Sequence, residues 1–187
     1  MRITFMSSPR PGALRRPLAA LLCWLACWHQ ADSADELARE YRIKAAFLYN
    51  LSKFVTWPDE ATAADTPLTI CIYGYNPFER YLEKLQERTV KGRPIAIRYI
   101  AEKATIDGCQ LVFMSRHNTS QPALLKAPPP YPPVLTVGDD AEFLAQGGLV
   151  SLVRVSNSVQ LDINLTRAKQ AGFKVSANLL EVARKVE

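Results

Sequence analysis

Cys71 and Cys109 are the residues whose chemistry depends most on the compartment this chain occupies. The other two cysteines, Cys23 and Cys27, lie in an N-terminal apolar run and leave with it if that run is removed. In an exported protein an even pair of cysteines reads as a disulfide. The rival reading is a redox-active pair, which is more often spaced C-x-x-C. Beyond residue 34 there is a single histidine, His117, and a lone loop histidine reads as solvated rather than as a ligand or general base. The sequence contains no H-E-x-x-H, no second Cys/His cluster, no P-loop, no G-x-G-x-x-G and no G-x-S-x-G. Asp139, Asp140 and Glu142 resemble paired carboxylates, but acids at a helix start are explained by capping and the helix dipole. Lys84, Arg88, Lys91 and Arg93 form a basic clump that reads as a solvated helix end and turn rather than an anion site. Tyr49, Phe54 and Trp57 read as packing rather than a stacking platform. With no acid, base, nucleophile or metal set identifiable, the expectation is a non-enzymatic binding or regulatory protein with no cofactor and no metal.

Export is argued from the N-terminus. Residues 1–16 carry four arginines and no acid, and an apolar run of about a dozen residues follows from Pro17 to Trp28. That run is shorter than the roughly 20 residues a bilayer span needs. The expectation is a secretory signal over 1–34 and a mature domain over 35–187. An uncleaved anchor and a lipoprotein acylated on Cys27 are the rivals, the latter disfavoured by Trp24. The net charge of +5 in 187 residues is concentrated in this segment. Without Arg2, Arg10, Arg15, Arg16 and Asp32 the domain is near neutral, with no basic stripe for nucleic acid. A hydrophobic share of 48% and a charged share of 22% place it in the globular class, at a length suited to one domain.

The elements that would position these residues follow from periodicity. Ser33-Ala-Asp-Glu36 is a capping box that predicts a helix start. Leu37, Tyr41, Ala45, Leu48 and Leu51 or Ser52 then mark its apolar stripe, and Trp57-Pro58 ends it. Strands are predicted at 68–73, 95–100, 110–115 and 134–137, and a hairpin from 149–155 and 159–163 around Ser156-Asn157-Ser158. In the second arm Val159, Leu161 and Ile163 alternate with Gln160, Asp162 and Asn164, which puts Asp162 on the outward face. Helices are predicted from Asn76-Pro77 through Leu85, from Thr119 to Lys126, and from Asp139 or Asp140 to Gly147-Gly148. Two more follow at Leu165–Ala171 and from Ser176 through Val186. The proline run 128–133 reads as a stiff connector rather than a ligand for a proline-recognising domain. The fold class is therefore α/β: a single compact domain with a mixed β-sheet flanked by helices, after the signal.

Several segments taken together resemble the YfiR-like proteins of the bacterial periplasm. They are Ile43-Lys-Ala-Ala-Phe-Leu-Tyr-Asn50 with Phe54-Val-Thr-Trp-Pro58; Leu68-Thr-Ile-Cys-Ile-Tyr-Gly74 with Asn76-Pro-Phe78; Val90-Lys-Gly-Arg-Pro94; Cys109-Gln-Leu-Val-Phe113; Val134-Leu-Thr-Val137 with Phe143 and Gly147-Gly148; and Val159-Gln-Leu-Asp-Ile-Asn-Leu165 through Ala171-Gly172 to Leu179-Leu180-Glu-Val-Ala183. They run in family order from about residue 36 to 186. The resemblance implies a periplasmic repressor, commonly a homodimer, that binds the periplasmic domain of an inner-membrane diguanylate cyclase and so limits cyclic-di-GMP synthesis and biofilm formation. An outer-membrane lipoprotein can sequester such a repressor. The resemblance also implies a structural disulfide between Cys71 and Cys109, and a partner-contact region that maps onto Val150, Asp162 and Leu165. The second cysteine pair of some members is missing here, where Leu144 and Ser151 stand in that region. Two other functions remain open: a small-molecule sensor with a pocket near a switch point of the sheet, serving another receptor or histidine kinase, and a thiol oxidoreductase.

Overall fold

Leu18 to Trp57 contains neither glycine nor proline, and the backbone answers with one long helix, α1 (Arg16–Phe54), with Pro17 in its first turn. The computed structural model describes residues 16–58 and 66–187, with side chains from residue 35 onward. The chain divides into two units, Met1–Leu37 and Ala38–Glu187. The basic segment 1–15 of the expected signal and residues 59–65 of the expected polar loop lie outside the described residues. No helix start falls at Ser33, contrary to the capping-box expectation, because the residues before it are themselves helix formers. Among the described residues no helix is long and apolar enough to cross a membrane.

In the second unit α1 is followed by β1 (Val55–Thr56), β2 (Leu68–Tyr73), β3 (Thr89–Val90), β4 (Arg93–Ile100), β5 (Leu111–Met114), β6 (Leu135–Gly138), β7 (Val150–Val155) and β8 (Ser158–Ile163). Then come α2 (Leu165–Gln170), β9 (Lys174–Val175), α3 (Ala177–Glu181) and β10 (Lys185–Val186). Eight strands form a mixed sheet in the order β10-β8-β7-β6-β5-β2-β4-β3, and β1 pairs with β9 in a small second sheet. The five strands from β4 to β7 are parallel neighbours; the β7–β8 hairpin and the β3–β4 turn are antiparallel. The order β4-β2-β5-β6-β7 is the 2-1-3-4-5 order of doubly wound sheets. Its switch point lies between β2 and β5.

Alternation along the strands builds two cores. Leu68, Ile70 and Ile72 of β2 face Tyr41, Ala45, Leu48 and Leu51 of α1 in the larger one, which also takes in Ala168 of α2 and Leu179 of α3. Cys71, Tyr73, Val112 and Met114 point to the other face, covered by Leu125, Phe143 and Cys109. One compact α/β domain results, its mixed sheet flanked by helices.

Several expected helices shrink to turns. After Asn76-Pro77 the Phe78 N–H bonds the Asn76 side chain at 3.0 Å, and Glu79 adopts φ 49°, which stops a helix at once. Only a 3-10 turn, Glu83–Leu85, remains. The gain is the position of Phe78, wedged edge-on between Tyr41 (5.5 Å) and Phe113 (4.6 Å). The segment expected as a helix from Thr119 contains only the 3-10 turn Ala123–Lys126. From Asp140 to Gly147 there are turns, yet the close is helical in kind. Gly148 N–H bonds Phe143 C=O and Gly147 N–H bonds Leu144 C=O, a Schellman pair with Gly147 at φ 98°. A β-carbon on Gly148 would fall 2.2 Å from the Phe143 ring. The last helix, capped by Ser176 as expected, stops at Glu181 rather than running to Val186, because the chain turns back to pair with β8 as β10.

Candidate functional site

The disulfide is present: Cys71 in β2 is bonded to Cys109, just before the neighbouring β5, with a Cα–Cα distance of 5.8 Å. Both cysteines are buried. Arg98 of β4, in register with Cys71, lays its guanidinium against the bridge and donates to Cys109 Sγ at 2.9 Å and to the Asp107 carbonyl.

Val150, Asp162 and Leu165, expected at an exposed contact surface, sit deeper than that. Val150 and Asp162 are each 2% exposed and Leu165 is half-buried. Alternation does turn Asp162 away from Leu161 and Ile163, but that side is covered: the Arg184 guanidinium grips the carboxylate, with Nε at 2.8 Å and Nη2 closer still. These hydrogen bonds hold Arg184 above its usual pKa. Asp162 is thus a buried half of an ion pair and not an outward residue. What this end of the sheet exposes is the α3–β10 segment, with Val182 at 66% and Val186 at 44%.

Sequence reasoning missed a buried ionic cluster. Lys44 of α1 is fully buried; its Nζ contacts Glu40, lies 3.3 Å from Asp139 Oδ2 and sits 4.7 Å from the centre of the Tyr41 ring. Asp139, at the end of β6, also accepts from the Tyr41 hydroxyl at 2.7 Å and from the Arg116 backbone N–H. At the rim, Arg116 and Arg154 approach Glu40 at 3.8 and 3.5 Å. Burial, and then the neighbouring Asp139 carboxylate, push the Tyr41 pKa upward. Asp139 therefore does not cap a helix. It ties α1 to the carboxyl ends of β5 and β6. The available signal was the i,i+4 pair Glu40–Lys44 set beside the apolar stripe of α1, together with an acid directly after an apolar strand.

At the switch point, where doubly wound sheets usually bind ligands, the chain's own side chains fill the space. Asn118 donates to Tyr73 C=O (2.7 Å) and accepts from Tyr75 N–H (2.9 Å). Glu102 accepts from Thr119 N–H, Thr119 Oγ1 and Ser120 Oγ, and the Thr119 bonds lower its pKa.

A family model described as YfiR/HmsC-like matches residues 41–184. The chain belongs to the YfiR/HmsC-like family. The match runs from Tyr41 in the ionic cluster to Arg184 on Asp162, and takes in the disulfide and the switch-point groups between them. In this YfiR/HmsC-like domain the cysteine-free positions Leu144 and Ser151 are both buried, and the Ser151 hydroxyl donates to Asp140 C=O.

The other residues singled out from sequence play local parts. The His117 ring meets Tyr75 edge-on at 5.5 Å. Lys91 donates to Thr56 Oγ1, and Arg93 to the Thr66 and Pro67 carbonyls. The Trp57 indole donates to Gln110 C=O and packs edge-on against Phe173. No group of three or more His, Cys, Asp or Glu side chains able to hold a metal occurs among the described residues. A cleft of about 500 Å³ opens beside the β1–β9 pair, lined by Trp57, Pro58, Tyr131, Pro133 and Lys174 among others. It lies on the Gln110 side of β5, at the opposite end of that strand from the switch-point groups Ser115 to Asn118.

Proposed function

We propose that this YfiR/HmsC-like domain is a periplasmic, non-enzymatic regulator that binds the periplasmic domain of an inner-membrane signalling protein, a diguanylate cyclase, and represses it. The family match over 41–184 carries the reading. The Cys71–Cys109 bridge agrees with an oxidising compartment. The contact surface in this reading is the sheet end built by β8, β10 and the start of α2. Leu165 reaches it directly, while Val150 and Asp162 shape it from beneath. A homodimer and an outer-membrane lipoprotein that sequesters the domain belong to the same proposal. The test is to capture the tagged domain on membranes, identify what it retains, and add the pure domain to the retained cyclase. Cyclic-di-GMP synthesis is expected to fall; undiminished synthesis in a stable complex rejects repression. Leu165→Asp is expected to weaken the complex by about tenfold or more, the scale of a contact hot spot. Unchanged affinity moves the surface elsewhere.

The cleft beside Trp57 favours a second reading, a small-molecule sensor subunit. Its volume falls in the range of ligand sites, roughly 300–1,000 Å³. A ligand panel followed by thermal denaturation separates the two, since a ligand that binds only the folded state raises the midpoint.

A further inference from the structure

A half-buried cation beside the disulfide has no counter-charge. Arg98 makes no ion pair among the described residues, and its Nε is buried without a partner. Its Nη2 goes to two uncharged acceptors, the Asp107 carbonyl and, at 2.9 Å, Cys109 Sγ. The sulfur of a closed bridge is a weak acceptor, and a guanidinium gains far more from an ionised one. Arg98 chooses the sulfur that solvent can approach: Cys109 keeps 5% of its surface exposed and Cys71 none. Val112, Met114, Leu125 and Phe143, all apolar, pack around the bridge. The titratable neighbours are Tyr73, whose hydroxyl accepts from Lys103 N–H at 2.7 Å, and the exposed Asp107. The charged group that touches a bridge sulfur is Arg98.

We propose that Cys109 is a site of thiol–disulfide exchange with an external dithiol, and that Arg98 is a positioning residue whose counter-charge is the Cys109 thiolate. A thiolate of the dithiol attacks Cys109 Sγ, the bond to Cys71 breaks, and Cys71 leaves and takes a proton. Cys109 is then held in a mixed disulfide. The second sulfur of the dithiol, having given its proton to solvent, attacks its own partner sulfur in that bond. Cys109 leaves as a thiolate against Arg98, and the dithiol ends as a disulfide, so two electrons have passed to the bridge. A cation beside a thiol favours the ionised form, which is the species that leaves here and attacks in the reverse direction. The bridge is the substrate of this exchange and not its catalyst, which separates the site from an oxidoreductase. It stands whether the domain binds a cyclase or a small molecule.

The experiment reduces the full chain with a phosphine, alkylates it with iodoacetamide over a pH series, and reads Cys109 by peptide mass, apart from Cys23 and Cys27. The midpoint of the Cys109 profile is expected about one pH unit or more lower in the parent than in Arg98→Gln, with Arg98→Lys between them. A role for Arg98 in packing alone would leave that midpoint where it is. On the unaltered, oxidised protein, glutathione followed by N-ethylmaleimide is expected to leave glutathione on Cys109 and maleimide on Cys71, a result that needs no variant to fold. Equal midpoints in the parent and Arg98→Gln overturn the role of Arg98. Glutathione on Cys71, or a parent midpoint at the ordinary thiol value of about 8.5, overturns the site itself.

Discussion

Lys44 shows how one residue escapes a pattern reading. Sitting among Tyr41, Ala45 and Leu48, it passes for a solvated charge at the margin of the stripe; in the fold its ammonium is fully buried between two carboxylates. Removing one member of a buried ion pair leaves the others unsatisfied. Lys44→Ala is therefore expected to cost about 3–5 kcal/mol in urea denaturation. A loss under about 1 kcal/mol would mean that Arg116 and Arg154 already neutralise the pair. Tyr41 gives a pH signature. Its pKa is raised in the folded state by burial and by Asp139, so its contribution is complete below pH 10 and declines as pH rises above the unfolded value. Relative to Tyr41→Phe, the parent is expected to lose up to about 1.4 kcal/mol per pH unit above pH 10. Parallel stability curves for the two proteins would mean that the Tyr41 pKa is not raised by the fold. Asp162 behaves differently from its outward reading. Reversing its charge sets a buried cation against Arg184 and is expected to destabilise the domain; Leu165 also packs against the core, so a partner-binding test at either position is read beside a urea curve of the same variant.

At the scale of elements, the strands and the three α-helices were legible, while three further expected helices formed only turns. Each main strand of the sheet lies within a residue or two of its expectation, because alternation and turn residues such as Ser156-Asn157 are local signals. The segments after Asn76 and Asp139 carried equally good helix starts, yet tertiary demands won: Phe78 had to enter the core and Asp139 had to meet Lys44. The disulfide joins β2 to the residues leading into the adjacent β5, across a sequence separation of 38. Loop-closure entropy puts its worth at roughly 4 kcal/mol. The Cys71→Ser/Cys109→Ser double variant is expected to lose an amount of that order in urea, and resistance of the bridge to mild reductant would argue against the oxidoreductase reading. A double variant as stable as the parent would assign the sheet's integrity to packing alone.

For the whole molecule, Ala38–Glu187 holds both cores and the entire sheet. A chain beginning at Asp35 is accordingly expected to fold by itself with the same urea midpoint as the longer one, and N-terminal sequencing of exported protein is expected to find a start near that residue. A truncated chain that fails to fold would make the earlier part of α1 part of the domain. The sequence by itself determined the α/β class, the strand positions, the disulfide partners and the family, because each rests on short-range alternation, turn chemistry or an ordered set of motifs. The tertiary structure alone decided that Asp162 is buried under Arg184, that Lys44 and Asp139 meet, and that the switch point is filled by Asn118 and Glu102. Those outcomes depend on which distant segments share a face, and no local period in the chain records that.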